Sequence, residues 1–341
     1  MYLQIIDHLA KLKKFVQLCL GVLKVGGTAF IREDLSKFNL HRDFFCFFFF
    51  CICLAKQNFM DLYWVLKKRE YVKKNDAEII TFRDFLDKTQ YTNTGIFAYE
   101  WIFGDNFISP GGAKENLAIL KQLGKLKAGQ SMLDIGVGIG GGARQAASEF
   151  GLHVLGLDLS SNMLSVAMDR LQKDKDTRVR YSLANVMECE YAPETFDIVY
   201  SRDCLQHNDD MPSLMKKIYR WLKPGGRVLI TMYGKGHGEL STKFQNYVQQ
   251  RHYYLKTLEQ MITALKDAKF ANVEGKNITP RFEQILTQEL KNAVENKEEF
   301  LKRFSEKKYA DLIEGWNDKL GYIADDNHNW IWLFAVKPMH S

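Results

Sequence analysis

From Gly129 onward, short apolar runs alternate with longer stretches whose apolar positions recur every three or four residues. "SMLDIGVG" (131–138) predicts a strand ending in glycines, and "ARQAASEF" (143–150) a helix. "HVLGLDLS" (153–160) and "NMLSVAMDRLQK" (162–173) repeat the pair, and "VRYSLAN" (179–185) and "FDIVYSRD" (196–203) predict two further strands. "MPSLMKKIYRWLK" (211–223) sets Leu, Ile and Trp on one helical face ahead of a fifth strand, "GRVLITMYG" (226–234). Strands and helices alternating over short connections build a parallel sheet covered on both faces. After Gly238 the rhythm changes. Helical patterns at about 239–268 and 281–320 surround the strand "FANVEGKNIT" (270–279), and the apolar "NWIWLFAVKP" (329–338) closes the chain. Two late strands complete a doubly wound, seven-stranded α/β sheet, with the helical insertions placed to cover a substrate.

The start of the chain carries an echo. "LKVGGTAFI" (23–31) matches "LKPGGRVLI" (222–230) at Leu, Lys, both Gly and the final Ile, and each follows an amphipathic pattern. A repeat at this separation suggests the tail of a second copy of the same domain, without that copy's glycine-rich first strand. The expected division is therefore a remnant over 1–80 and a complete domain over 81–341. Between them, "FFCFFFFCICLA" (44–55) is the most apolar run. Twelve residues are too few to span a bilayer, which needs about 20. The run reads either as a buried strand or helix, or as a translated intron end covering about 44–57, since Phe and Cys codons are pyrimidine-rich.

Composition narrows the class. The chain has 341 residues, 46% apolar and 26% charged, with a net charge of +6 spread without a basic arm. That suits a small anionic substrate better than nucleic acid or a membrane. The six cysteines (Cys19, Cys46, Cys51, Cys53, Cys189 and Cys204) show no C-x-x-C spacing, so no metal site is expected and a reducing cytoplasm is.

"LDIGVGIGGG" (133–142) follows a strand and opens a helix, with Gly136, Gly138 and Gly141 in G-x-G-x-x-G spacing and Asp158 ending the next strand. This is a nucleotide-type loop, and by spacing alone it also fits an NAD enzyme. Asp134 argues against NAD: a carboxylate just ahead of the first glycine repels a pyrophosphate but holds a cationic amino acid.

With "SRD" ending the fourth strand and "LKPGG" leading into the fifth, residues 129–235 resemble class I S-adenosylmethionine-dependent methyltransferases. Four further stretches narrow this: "DKTQYTNTGIFAYEWIFGDNFISPGG" (87–112), "SRDCLQH" (201–207), "YVQQRHYY" (247–254) and "EGWNDKLGYI" (314–323). In this order they resemble the phosphoethanolamine N-methyltransferases that make phosphocholine. "FIREDLS" (30–36) resembles the end of the degenerate domain of the nematode members, which act on the monomethylated substrate. The resemblance implies S-adenosylmethionine as cofactor, held by Ile108, Ser109, Asp134, Gly136, Gly138, Asp158, Leu159, Asn185, Val186 and Arg202. Asn185 stands where the family usually has an acid for the adenine amine. The resemblance also implies a phosphorylated amine as substrate, contacted by Gln90, Tyr99, Tyr233, Tyr247, Arg251, Tyr253 and Lys319; a monomer is expected.

The chemistry explains Asp203 and His207. An alkylammonium titrates near pKa 10, so at pH 7 about one molecule in a thousand has a free lone pair, a deficit of roughly 4 kcal/mol. A carboxylate holds the ammonium and an imidazole accepts its proton. Alone, Asp203 reads better as a helix N-cap and His207 as a surface residue of the next helix. At one strand end, with Tyr91 implied to meet His207 and close a lid, the pair reads as catalytic. Competing readings are another small acceptor, an NAD enzyme and a non-catalytic regulatory paralogue.

Overall fold

The computed structural model describes residues 18, 22–24, 27–34, 50–58, 61–68, 79 and 81–339. Three strands precede the main domain: β1 (Thr28–Asp34), β2 (Phe50–Asn58) and β3 (Asp61–Lys68). Then come β4 (Ser131–Ile135), β5 (His153–Asp158), β6 (Val179–Leu183), β7 (Phe196–Arg202), β8 (Leu222–Gly234), β9 (Ala271–Asn277) and β10 (Asn329–Val336). The order across the sheet is β1-β3-β2-β6-β5-β4-β7-β8-β10-β9. β6, β5, β4, β7 and β8 run parallel, while β10 runs antiparallel to both β8 and β9. The expected seven strands are thus present and are extended by three more. β6 is the edge of the parallel part, and its free backbone groups pair with β2 at Ala55–Leu183 and Lys56–Ser182.

The central strands β4, β7 and β8 bury both faces, as a doubly wound sheet requires. Met132, Ile198, Tyr200 and Leu229 belong to one core, and their neighbours Leu133, Val199, Val228 and Ile230 to the other. The second core is closed by helix Met211–Trp221, whose Leu214, Ile218 and Trp221 are fully buried at the spacing of one helical face. The first is closed by the helices before β4 and by the late insertion, Thr279–Glu295 and Glu306–Ala324, through Phe282, Leu286 and Trp316. This long connection between β9 and β10 packs Phe282 against Tyr233, near the carboxyl end of β8.

The sequence echo has a counterpart in the backbone. β1, β3 and β2 lie side by side, all antiparallel, in the same order as β8, β10 and β9. A side chain added at Gly27 would meet the Lys24 carbonyl at 2.9 Å, and one at Gly226 the Lys223 carbonyl at 2.7 Å. Within "FFCFFFFCICLA", residues 50–55 lie in β2, and residues 44–49 fall outside the described part.

Candidate active site

A cavity of about 280 Å³ opens at the carboxyl ends of β4, β5, β6 and β7, where the order of connection reverses between β4 and β7. This is where open α/β sheets take ligands. Its floor is the turn after β4. Gly136 has φ +82°, and a side chain there would lie 2.3 Å from Cys204 Sγ; at Gly141 one would strike the Asn106 carbonyl at 1.9 Å. Only glycine lets these backbones approach.

Asp134 is buried at 3% exposure and Asp158 is half-buried. Burial, then the charge of Asp158, push Asp134 up to about 7, with Arg202 opposing. Burial also pushes Asp158 up to about 6, although it accepts from the N–H groups of Ser160 and Gly138, each at 2.8 Å. These carboxylates fit a ligand carrying positive charge at one end and hydroxyls at the other. Ile108, Ser109, Leu159, Asn185 and Val186 also line the cavity. Asn185 Oδ1 already accepts from Met187 N at 3.0 Å and Nδ2 faces Glu188 Oε1 at 3.4 Å, so one lone pair of its oxygen is left for a ligand.

Since the cation must meet a carboxylate, affinity for the cofactor should fall as pH falls. Above pH 7 it should be flat; below, it should drop up to about tenfold per unit as Asp134 takes up a proton, and more steeply below pH 6. Folding of the unliganded chain has the opposite sign. Carboxyls raised above their unfolded value lose stability as pH rises toward 7. Calorimetric titration with S-adenosylhomocysteine between pH 5.5 and 8 checks the first statement, and a flat profile contradicts it.

Asp203 is not a cap: the following helix is capped by Asp210, which accepts from Ser213 N. Asp203 has φ +54° and a side chain only 4% exposed. Oδ1 accepts from Trp330 Nε1 at 2.6 Å and Thr231 Oγ1 at 3.0 Å; Oδ2 is buried, has no hydrogen-bond partner, and lies 3.8 Å from Arg202 Nε. Burial raises Asp203, against Arg202, Trp330 and Thr231. The lone pairs of Oδ2 suit a cation. Arg202 donates to the carbonyls of Gly112, at 3.1 Å, and Pro110, and so shapes the Ser109–Gly112 loop.

His207 belongs not to the next helix but to the 3-10 turn Leu205–His207. Its Nδ1 lies 3.3 Å from the His252 carbonyl, so Nδ1 carries the proton and Nε2 keeps the lone pair a base requires. Burial holds the ring neutral, lowered to about 4. Phe82, at 5.2 Å between centroids, and Tyr253, at 4.9 Å, flank it. Tyr91 lines the same cavity, but its hydroxyl accepts from Gln90 Nε2 at 2.8 Å in place of the implied contact with His207. Gln90 Oε1 is buried and unpartnered.

The segment carrying Tyr91 runs from helix Phe82–Phe85 through a π-helical turn, Leu86–Gln90. Asp87 latches it to the segment after Asp158: its carboxylate takes the hydroxyls of Ser160 and Ser161 at 2.5 Å, and Asn162 Nδ2 reaches the carbonyls of Asp87 and Tyr91. Arg83 Nε donates to the Leu159 carbonyl at 3.1 Å. Asp87→Asn replaces an acceptor of several donors by a group half of which is a donor. It should weaken S-adenosylhomocysteine about tenfold by loosening the lid, read by calorimetry; an unchanged Kd would mean that the latch does not hold the cofactor.

Beyond Tyr253 lies a cationic end. Arg251 Nη2 is 3.4 Å from Tyr99 Oη, and its guanidinium stands 5.5 Å over the Tyr247 ring. Lys319 is buried with Nζ 4.0 Å over the Trp316 ring; burial, then Arg251, lower it to about 8. Burial works to raise Tyr99, but Arg251 and Lys319 outweigh it and hold the phenol below its ordinary value. Tyr233 and Tyr247 complete the cluster around Tyr253. Residue types had not pointed to Trp330, Thr231, His252 or Glu289. Glu289 bridges the halves, accepting from Gly111 N at 2.7 Å and from Trp316 Nε1 at 3.1 Å.

The sheet order, the glycine turn and the strand-end carboxylates define a class I methyltransferase. A model described as "Methyltransferase domain" matches residues 133–230. The chain is 48% identical, over 98% of its length and 82% of the relative's, to phosphoethanolamine N-methyltransferase 2 of Caenorhabditis elegans. It is 36% identical to the phosphoethanolamine N-methyltransferase of Plasmodium falciparum, over 75% of this chain and 96% of that one. The solved phosphoethanolamine N-methyltransferase 2 of Haemonchus contortus, bound to phosphomonomethylethanolamine and S-adenosylhomocysteine, superposes with a TM-score of 0.91 at 50% identity, covering 96% of this chain and 82% of that one. This chain belongs to the phosphoethanolamine N-methyltransferase family.

Proposed function

We propose that the chain transfers methyl groups from S-adenosylmethionine to the nitrogen of phosphorylated ethanolamines, the monomethyl and dimethyl forms above all, and so makes phosphocholine. The observation that carries this is the site's polarity. A buried carboxylate oxygen without a hydrogen-bond partner and a neutral imidazole lie in the cofactor cavity, and the rings of Tyr253 and Tyr247 lead from His207 to Arg251. The substrate bound to the Haemonchus contortus relative has those two charged ends.

S-adenosylmethionine would supply an electrophilic methyl group, held by Asp134, the glycine turn, Asp158 and Asn185. Lys319 and Arg251 neutralise the phosphate. Asp203 Oδ2 attracts the ammonium, and His207 Nε2 takes its proton to free the lone pair. Tyr91, on the latched lid, shuts out water around both.

Steady-state release of S-adenosylhomocysteine, with phosphoethanolamine and its monomethyl and dimethyl forms in parallel, tests the reading. Turnover of the methylated forms supports it. No turnover of any of them, with cofactor binding intact, favours another acceptor or a regulatory paralogue. We infer further that residues 1–80 are the remnant of a second methyltransferase domain, on the strength of the repeated strand order and the Gly27–Gly226 correspondence. We take the enzyme to work as a monomer in the cytoplasm, where the cysteine pattern suits reducing conditions. Among the described residues no helix is long and apolar enough to cross a membrane.

A further inference from the structure

His328, between the insertion and β10, is the one fully buried histidine among the described residues, and the roles above leave it unused. Its ring is packed by Tyr233 at 4.8 Å between centroids, by Phe244 and Phe282 at 5.5 Å each, and by Tyr247 at 6.0 Å. Neither Nδ1 nor Nε2 has a hydrogen-bond partner. A neutral imidazole always carries one N–H and one lone pair, and burying both unpaired is costly enough that such a group calls for a reason. An aromatic filler such as phenylalanine would occupy the same space without that cost. Burial, then the charge of Lys319, lower His328 to about 3 and keep the ring neutral; the Tyr247 ring that packs on it also lies 5.5 Å under the Arg251 guanidinium, at the cationic end of the site.

We infer that His328 is a further substrate-binding residue, donating a ring N–H to the phosphate that Lys319 and Arg251 neutralise. This rests on the proposed function and deepens it. A neutral donor adds a directed hydrogen bond without a third positive charge, so Lys319 is not pushed further toward its neutral form. The backbone places the ring for this. The His328 N–H is tied to the Tyr322 carbonyl at 3.1 Å, and the next residues enter the β10–β8 ladder, where Trp330 pairs with Tyr233.

The test uses the full chain with His328→Phe and His328→Gln. Phe keeps a ring of similar bulk and removes the donor; Gln restores an N–H. With phosphomonomethylethanolamine, His328→Phe should raise KM at least about tenfold, the smaller part of the effect falling on kcat, and His328→Gln should recover most of the loss. S-adenosylhomocysteine affinity should stay within about threefold of wild type in both. An unchanged KM in a His328→Phe protein that binds S-adenosylhomocysteine normally overturns the assignment. Should the variants fail to fold, wild-type protein carrying isotope-labelled histidine is titrated with phosphocholine and followed by NMR. A ring N–H of His328 shifted into a hydrogen-bonded position supports the contact, and an unmoved signal at saturation refutes it. Wild-type protein inactive on every phosphorylated amine would instead sink the proposed function itself, so the two failures are separable.

Discussion

Asp203→Asn should lower kcat by about 10²- to 10⁴-fold while the affinity for S-adenosylhomocysteine changes little. The direction follows from donors and acceptors. Trp330 Nε1–H is only a donor and lies 2.6 Å from Oδ1, so an asparagine must keep its oxygen there. Its NH₂ then occupies the place of Oδ2, the buried oxygen without a hydrogen-bond partner. A cationic amine would meet two hydrogens where it now meets a carboxylate. His207→Ala should cost about 10²-fold or more by removing the base. The double variant should be little worse than the poorer single one, because the two groups serve the same deprotonation of the amine. Near-normal kcat in Asp203→Asn would mean that the amine binds elsewhere.

Lys319→Met should raise KM for phosphorylated amines by about 10- to 100-fold, the size of a buried charge-assisted hydrogen bond. The methionine can keep the packing on Trp316 that Lys319 now makes at 4.0 Å. The more telling readout is selectivity. Wild type should strongly prefer phosphomonomethylethanolamine over monomethylethanolamine, and the variant should lose most of that preference. A preference kept intact would move the phosphate away from this end.

Much of this was readable in the chain, and the parts that were not share a physical cause. Strands β4 to β8, the glycine turn and the acids Asp134 and Asp158 are local: an apolar run, a glycine and a carboxylate at a strand end carry their meaning within ten residues. The two late strands and the helices between them were legible for the same reason. The surroundings of Asp203 and His207 were not. Trp330 reaches Asp203 because β10 pairs with β8, a register that joins residues about a hundred positions apart. The His252 carbonyl fixes the tautomer of His207 through a left-handed residue ending helix Thr242–Arg251, and nothing in "QQRHYY" distinguishes that histidine from a surface one. His328 looked equally ordinary. Its meaning lies in what fails to touch its nitrogens, which only packing reveals. Of the three added strands, the echo at 23–31 pointed to β1, and a strand was one of the readings of 44–55, where β2 begins; β3 escaped, and the pairing of β2 with β6 depends on an edge that exists only once the sheet has formed.

The most direct test of the site is the structure of this protein with S-adenosylhomocysteine and phosphomonomethylethanolamine bound together. The amine nitrogen should lie within hydrogen-bonding reach of Asp203 Oδ2 and of His207 Nε2 or a water between them, with the phosphate against Lys319 and Arg251. A substrate bound the other way round, or an amine beyond reach of both Asp203 and His207, would contradict the mechanism.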